Sequence, residues 1–309
     1  MKKLLSIALW IVALPTCLAQ AQTVAVSVQS NAPVTRLEDV IYGRKAGTAL
    51  TLDVFQPAKP NGYGIAYIES GAWYSAHEFI RPDMLRPFTD RGYTVFAVVH
   101  GSQPKFPIAE IVPDIHRAIR FIRHNAARYG VNPDHLGISG ASSGGHLSLT
   151  MAVKGVDGKA DAKDPVDRAS SAVQAVACFF PPTDFLNYGE TNRDAVGFGP
   201  LQNFKSAFGS RSDTAEGRLE LGHEISPIYF VHSNMPSILI IHGSADNLVP
   251  VSQSEQFVKR CEESGVTAKL IVREGKGHGW PDMENDLRVC ADWFDEYLRG
   301  IKPAAEKSP

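Results

Sequence analysis

Ser142 stands in Gly140-Ala141-Ser142-Ser143-Gly144, directly after an apolar run (residues 136–138) and directly before a helix-like stretch (residues 146–153). Glycines two before and two after a serine let a strand reverse sharply into a helix, the arrangement called a nucleophile elbow. Such a reversal strains the serine backbone, and only small neighbours clear the adjacent strands. The hydroxyl then projects above the sheet, where the free amides of the following helix face any anion that forms. A serine hydroxyl is a poor nucleophile at neutral pH. It needs a base to take its proton and donors to hold the charge that develops on an attacked carbonyl.

The elbow therefore sets an order for its partners: an acid after a late strand, then a histidine after the last strand. The apolar run at 238–241 leads into His242-Gly243-Ser244-Ala245-Asp246, and the run at 270–272 leads into Gly275-Lys276-Gly277-His278-Gly279-Trp280. A loop aspartate is ordinarily a turn former, and a histidine between glycines is ordinarily a surface residue. Three matches in the expected order, each following its own strand, point instead to a triad. In it Ser142 attacks, His278 moves the proton, and Asp246 fixes the histidine tautomer. Asp184, which also follows a strand-like run, is the substitute acid.

Two backbone amides are expected to form the oxyanion hole: that of Ser143, and one on the loop Glu69-Ser70-Gly71-Ala72-Trp73. Gly71 admits close approach of the backbone, so its amide or that of Ala72 is the second donor. Trp73 either lines the acyl or alcohol pocket or covers the end of the sheet.

The elements that must position these residues follow from periodicity. Apolar runs alternate with amphipathic stretches from about residue 52 onward, which indicates βαβ units around a mostly parallel sheet, an α/β fold. Residues 36–42 and 50–55 read as an antiparallel entry. Strands are expected at 64–68, 93–99, 173–180, 238–242 and 269–272, besides the one ending at the elbow. Helices are expected at 82–91, 111–129, 252–264 and 283–298. Residues 183–234, rich in Asn, Gly, Phe and Ser, read as an irregular cap-like insertion.

Near-balanced charge, 31 basic against 33 acidic residues, leaves no electrostatic footprint for nucleic acid or an anionic membrane. Lys2 and Lys3 precede an apolar stretch at 4–14, and Ala19-Gln20-Ala21 offers small residues for cleavage after Ala21. Residues 1–21 thus read as an export signal too short to span a bilayer, and residues 22–309 as a single domain, secreted or periplasmic. Cys178 reads as a core thiol, and Cys261 and Cys290, on two late helices, are a candidate disulfide. His77-Glu78 and His223-Glu224 begin like a zinc-protease helix but lack the second histidine, and no phosphate loop or dinucleotide fingerprint is present. Neither a metal nor an organic cofactor is implied.

From about residue 40 to residue 298 the chain resembles the α/β-hydrolases of esterase/lipase type, closest to the group with feruloyl- and acetylxylan-esterase-like and kynurenine-formamidase-like members. The resemblance rests on the elbow, the stretch from Phe106-Pro107 through Asp114, Ser226-Pro227 and the two late loops. It implies an eight-stranded, mostly parallel sheet, a Ser-Asp-His triad and no metal. Two departures stand out. The family's His-Gly-Gly-Gly-Trp loop here begins with Glu69, whose carboxylate must point away, be neutralised or be protonated if an oxyanion is to form nearby. The usual Tyr-Arg pair after the fourth strand is Val99-His100, with His100 read as a packing residue. The expected function is hydrolysis of short acyl esters, acetyl or feruloyl groups on polysaccharide among them. An amidase or peptidase of the same fold, or a catalytically inactive binding protein, is the alternative.

Overall fold

The central strands of the sheet are apolar on both sides because helices cover both of its faces. The computed structural model describes residues 33–302; the expected export segment, residues 1–21, lies outside them. The chain enters through β1 (Val34–Lys45) and β2 (Thr48–Pro57), an antiparallel pair, and continues with β3 (Gly62–Glu69), α1 (Pro82–Thr89), β4 (Thr94–Val99) and α2 (Ile108–His124). Then come β5 (Val131–Ala141), α3 (Ser143–Lys154) and β6 (Ala175–Phe179). After the insertion follow β7 (Ser237–Gly243), α6 (Ser252–Glu263), β8 (Ala268–Arg273) and α7 (Met283–Arg299). The eight strands lie in the order β1-β2-β4-β3-β5-β6-β7-β8. All neighbours from β4 to β8 run parallel, so their carboxyl ends form one rim.

Side chains alternate along each strand between two cores. Ala66, Ile68, Ile138, Val176, Cys178, Ile238 and Ile240 pack against α2, α3 and α6. Ile65, Ala97, Ala177, Phe179, Leu239 and Ile241 pack against α1 and α7. Helix α2 shows the expected spacing, with Ile111, Ile115, Ala118, Ile119 and Ile122 all buried.

The insertion is more ordered than its composition suggests. It holds α4 (Lys205–Phe208), α5 (Ala215–Ile225) and several 3₁₀ turns. Thr214 caps α5 by accepting a hydrogen bond from the Gly217 amide at 3.1 Å. Two glycines in an eleven-residue helix hide it from a propensity reading. Both sit where a Cβ has no room: one on Gly217 would fall 2.2 Å from the Arg211 carbonyl oxygen, and one on Gly222 would come within 2.4 Å of the Leu186 side chain.

The candidate disulfide is not formed: Cys178, Cys261 and Cys290 are all free and buried. Cys261 belongs to the core on the α2/α3 face and Cys290 to the core on the α1/α7 face, so the sheet stands between them. Burial pushes the Cys261 thiol up to about 12, far from reactive at neutral pH. A reductant is therefore expected to leave the melting temperature unchanged, and thiol reagents to modify these three cysteines only after unfolding.

Candidate active site

The elbow depends on three backbone approaches that no larger residue allows. A Cβ on Gly140 would lie 2.6 Å from the Gly144 carbonyl carbon, one on Gly144 would lie 2.5 Å from the Ile68 carbonyl oxygen, and one on Gly145 would lie 2.8 Å from that of Phe179. Ser142 itself has φ 55° and ψ −119°. That conformation costs a non-glycine residue about 1–3 kcal/mol and persists only where the surroundings hold it. Here its amide donates to the Phe179 carbonyl at 3.0 Å and its carbonyl accepts from the His146 amide at 2.9 Å.

The hydroxyl so placed lies 2.8 Å from His278 Nε2, and His278 Nδ1 lies 2.7 Å from Asp246 Oδ2. A carboxylate only accepts, so the Nδ1 proton faces Asp246 and the bare Nε2 accepts from Ser142. The two late loops meet because they are sewn together: Ser244 N donates to Arg273 O, Ala245 N to Lys276 O, and Gly275 N to Ser244 Oγ. Gly243 permits this, since a Cβ there would fall 2.2 Å from the Lys276 oxygen.

Asp246 is buried, which opposes its charge, yet hydrogen bonds from His242, His278 and the Val249 amide outweigh burial and hold its carboxyl well below the usual carboxylate range. His242, which sequence reasoning passed over, sits 3.3 Å from Asp246 Oδ2 and bonds Val249 O and Ser254 Oγ with its two ring nitrogens. Nothing in its strand position signalled this role. Asp184 does not reach His278. Its carboxylate closes a local turn, accepting from the amides of Leu186 and Asn187 and from the Tyr229 hydroxyl.

Gly71 and Ala72 part company as donor candidates. The Gly71 amide donates to Tyr74 O, and Tyr74 N to Gly71 O, each at 2.9 Å, closing a tight turn. The left-handed residues in that turn are Ala72 (φ 50°) and Trp73 (φ 58°), not the glycine. Among the described residues no hydrogen bond engages the Ala72 amide. The Ser143 amide opens the first turn of α3, where no intrahelical partner exists. Trp73 is buried beside Phe185 and Phe208 and lines the cavity. Its Nε1 donates to His146 Nδ1 at 3.1 Å.

Ser142, Ser143 and His278 open onto a cavity of about 290 Å³. Phe180, Tyr188, Leu201, Phe204, Leu248 and Val249 make its remaining wall largely apolar. Tyr188, Leu201 and Phe204 come from the insertion. A larger cleft of about 600 Å³ lies elsewhere, between β1 and α2, where Arg117 pairs with Asp164 and Asp167 and Lys45 with Asp114.

Residues 52–261 match the BD-FAE family. The chain belongs to that family. Among its relatives, the esterase LipQ of Mycobacterium tuberculosis is 29% identical over 241 residues, covering 75% of this chain and 53% of LipQ. The chain spans about half to three-fifths of the length of such curated relatives. A carbohydrate esterase from gut microbiota, solved in truncated form, shares 27% identity with a TM-score of 0.71, over 86% of this chain and 96% of that one. The butyrate-bound esterase Est2 of the planctomycete Thermogutta terrifontis shares 25% with a TM-score of 0.64, over 91% and 98%. The fold is that of an α/β-hydrolase of esterase type.

Glu69, the family departure, resolves itself by orientation and by charge. It alternates away from Ile68 towards Asp53 on the α1/α7 face and does not line the cavity. Burial, with the nearby Asp53 charge, pushes its carboxyl up to about 8. Below its ordinary value of 4.5 both folded and unfolded chains carry the proton; as pH rises from 4.5 to 8 only the unfolded chain releases it, so stability falls across that window. In Glu69→Gln the melting temperature is expected to gain on the parent as pH is raised from 4.5 to 8, a gap that calorimetry at several pH values would read.

Proposed function

We propose that this chain is a serine hydrolase that cleaves carboxylic esters of short acyl groups through an acyl-enzyme. The observation that carries the reading is the continuous Ser142–His278–Asp246 hydrogen-bond chain, 2.8 and 2.7 Å, opening onto an apolar cavity. Ser142 Oγ attacks the ester carbonyl while His278 Nε2 takes its proton. The developing oxyanion is held by the amides of Ser143 and Ala72, aided by the positive end of α3. Asp246, kept ionised, stabilises the imidazolium, which then protonates the departing alkoxide. Water, activated by the same histidine, releases the acid.

The acyl preference follows from space. A cavity of about 290 Å³ equals roughly ten waters of liquid volume, enough for an acetyl or butyryl chain or one aromatic ring but not for a long fatty chain. The butyrate-bound Thermogutta enzyme and the gut carbohydrate esterase support short acyl groups and a carbohydrate-borne ester as the natural kind of substrate. Lys2, Lys3, the apolar stretch at 4–14 and Ala19-Gln20-Ala21 support export, with residues 22–309 as the mature hydrolase domain.

A fluorophosphonate probe is expected to label Ser142 alone, as mapped by mass spectrometry. Ser142→Ala should lose turnover of p-nitrophenyl acetate by roughly 10³-fold or more while melting as the parent does. Labelling of another serine, or turnover that survives the substitution, would sink the assignment. Across p-nitrophenyl esters, kcat/KM is expected to peak between acetate and butyrate and to drop sharply by octanoate. Matched anilides should be turned over far more slowly than esters. Replacing Phe204 by alanine, which removes part of the wall, should shift the optimum to longer chains.

A further inference from the structure

The loop carrying the Ala72 amide is strained, and something must hold it against the elbow. Two consecutive non-glycine residues with left-handed φ, Ala72 and Trp73, cost about 1–3 kcal/mol each. Two side-chain hydrogen bonds join this loop to the elbow helix: Trp73 Nε1 to His146 Nδ1, and Ser70 Oγ to Ser143 Oγ at 3.0 Å. The second ties directly into the residue whose amide faces the oxyanion. It does not end at Ser70.

His100, read from sequence as a packing residue, is fully enclosed, and its Nε2 lies 2.8 Å from Ser70 Oγ. Its Nδ1 lies 2.7 Å from the Gly101 carbonyl oxygen. A carbonyl only accepts, so Nδ1 carries the proton and Nε2 is the bare acceptor. Direction is then fixed along the whole chain: Ser143 donates to Ser70, Ser70 donates to His100, and His100 donates to Gly101. Burial drives the His100 imidazole down to about 4, which keeps it in this neutral form. The His100 amide also donates to Ser75 Oγ, whose hydroxyl donates to the Glu69 carbonyl, so the far end of the same loop rests on the same residue.

We propose that His100 is a positioning residue that sets the separation of the Ser143 and Ala72 amides through the directed chain Ser143–Ser70–His100. The proposal rests on the ester-hydrolase reading above. His100 stands outside the cavity lining, whereas Ser70 and Ser143 belong to it, their hydroxyls bonded to each other and on to His100. They act by holding one donor-bearing loop in register with the other donor, so their loss loosens the oxyanion site without removing a donor. The cost falls on kcat, where the oxyanion forms, and much less on KM.

The test is a double-mutant cycle on the full chain with p-nitrophenyl acetate, using Ser143→Ala, Ser70→Ala, His100→Leu and their pairs. Each single change is expected to lower kcat about tenfold with KM within about twofold, a smaller loss than the 10²–10³ for deleting a donor outright. Each pair should be no slower than its worse member, since the first break already interrupts the chain. His100→Gln, which returns an acceptor near the Nε2 position, should recover most of the rate. Additive losses, an unchanged kcat, or a drop in melting temperature with normal turnover per folded molecule would overturn the proposal. If His100→Leu fails to fold, the Ser70/Ser143 cycle, which removes only hydroxyls, decides it. A parent chain with no ester turnover and no probe labelling removes the oxyanion site and this proposal together, whereas an active parent with indifferent variants removes only the proposal.

Discussion

Everything in this site hangs on a backbone reversal at Ser142 that the chain can make in only one way. The end of β5, the start of α3 and the end of β3 approach one another closely enough that a single added carbon at Gly140 or Gly144 would strike main-chain atoms. The strain at Ser142 is small against the apolar burial of a sheet covered on both faces, so the core holds the turn rather than the reverse. Raising the serine above the rim also directs the first amides of α3 at the same point in space. The Ser142 hydroxyl and the free amides of α3 are aimed by one piece of geometry.

Around that fixed point the remaining groups are brought in by loops at the carboxyl rim of a parallel sheet. The loops after β7 and β8 are bonded to each other before they reach Ser142, which makes the Asp246–His278 pair a preassembled unit. Asp246 keeps its charge despite burial because two histidines and a backbone amide contribute more than desolvation removes. The apolar wall opposite lowers the local dielectric and so strengthens each of these interactions.

The parts legible in sequence were those written as local patterns. Apolar runs followed by small-residue loops located Ser142, Asp246 and His278, and alternating strand and helix periods gave the sheet. What stayed hidden depended on partners distant in the chain. His100 bonds a serine 30 positions away and Ser70 one 73 positions away, and no spacing rule connects them. The choice between Gly71 and Ala72 turned on which amide a tight turn consumes, a matter of one hydrogen bond. Cys261 and Cys290 looked like partners because both sit on late helices, whereas helices on opposite faces of a sheet cannot share a bond. Helix α5 was obscured by two glycines, one packed against the Arg211 backbone and the other against Leu186.

The machinery and the enclosure around it have different origins in the chain. Ser142, His278 and Asp246 belong to the sheet and its rim, whereas Tyr188, Leu201 and Phe204 belong to a segment that no strand threads through. That segment can therefore vary and reshape the cavity while the sheet, its rim and the three bonded residues stay as they are.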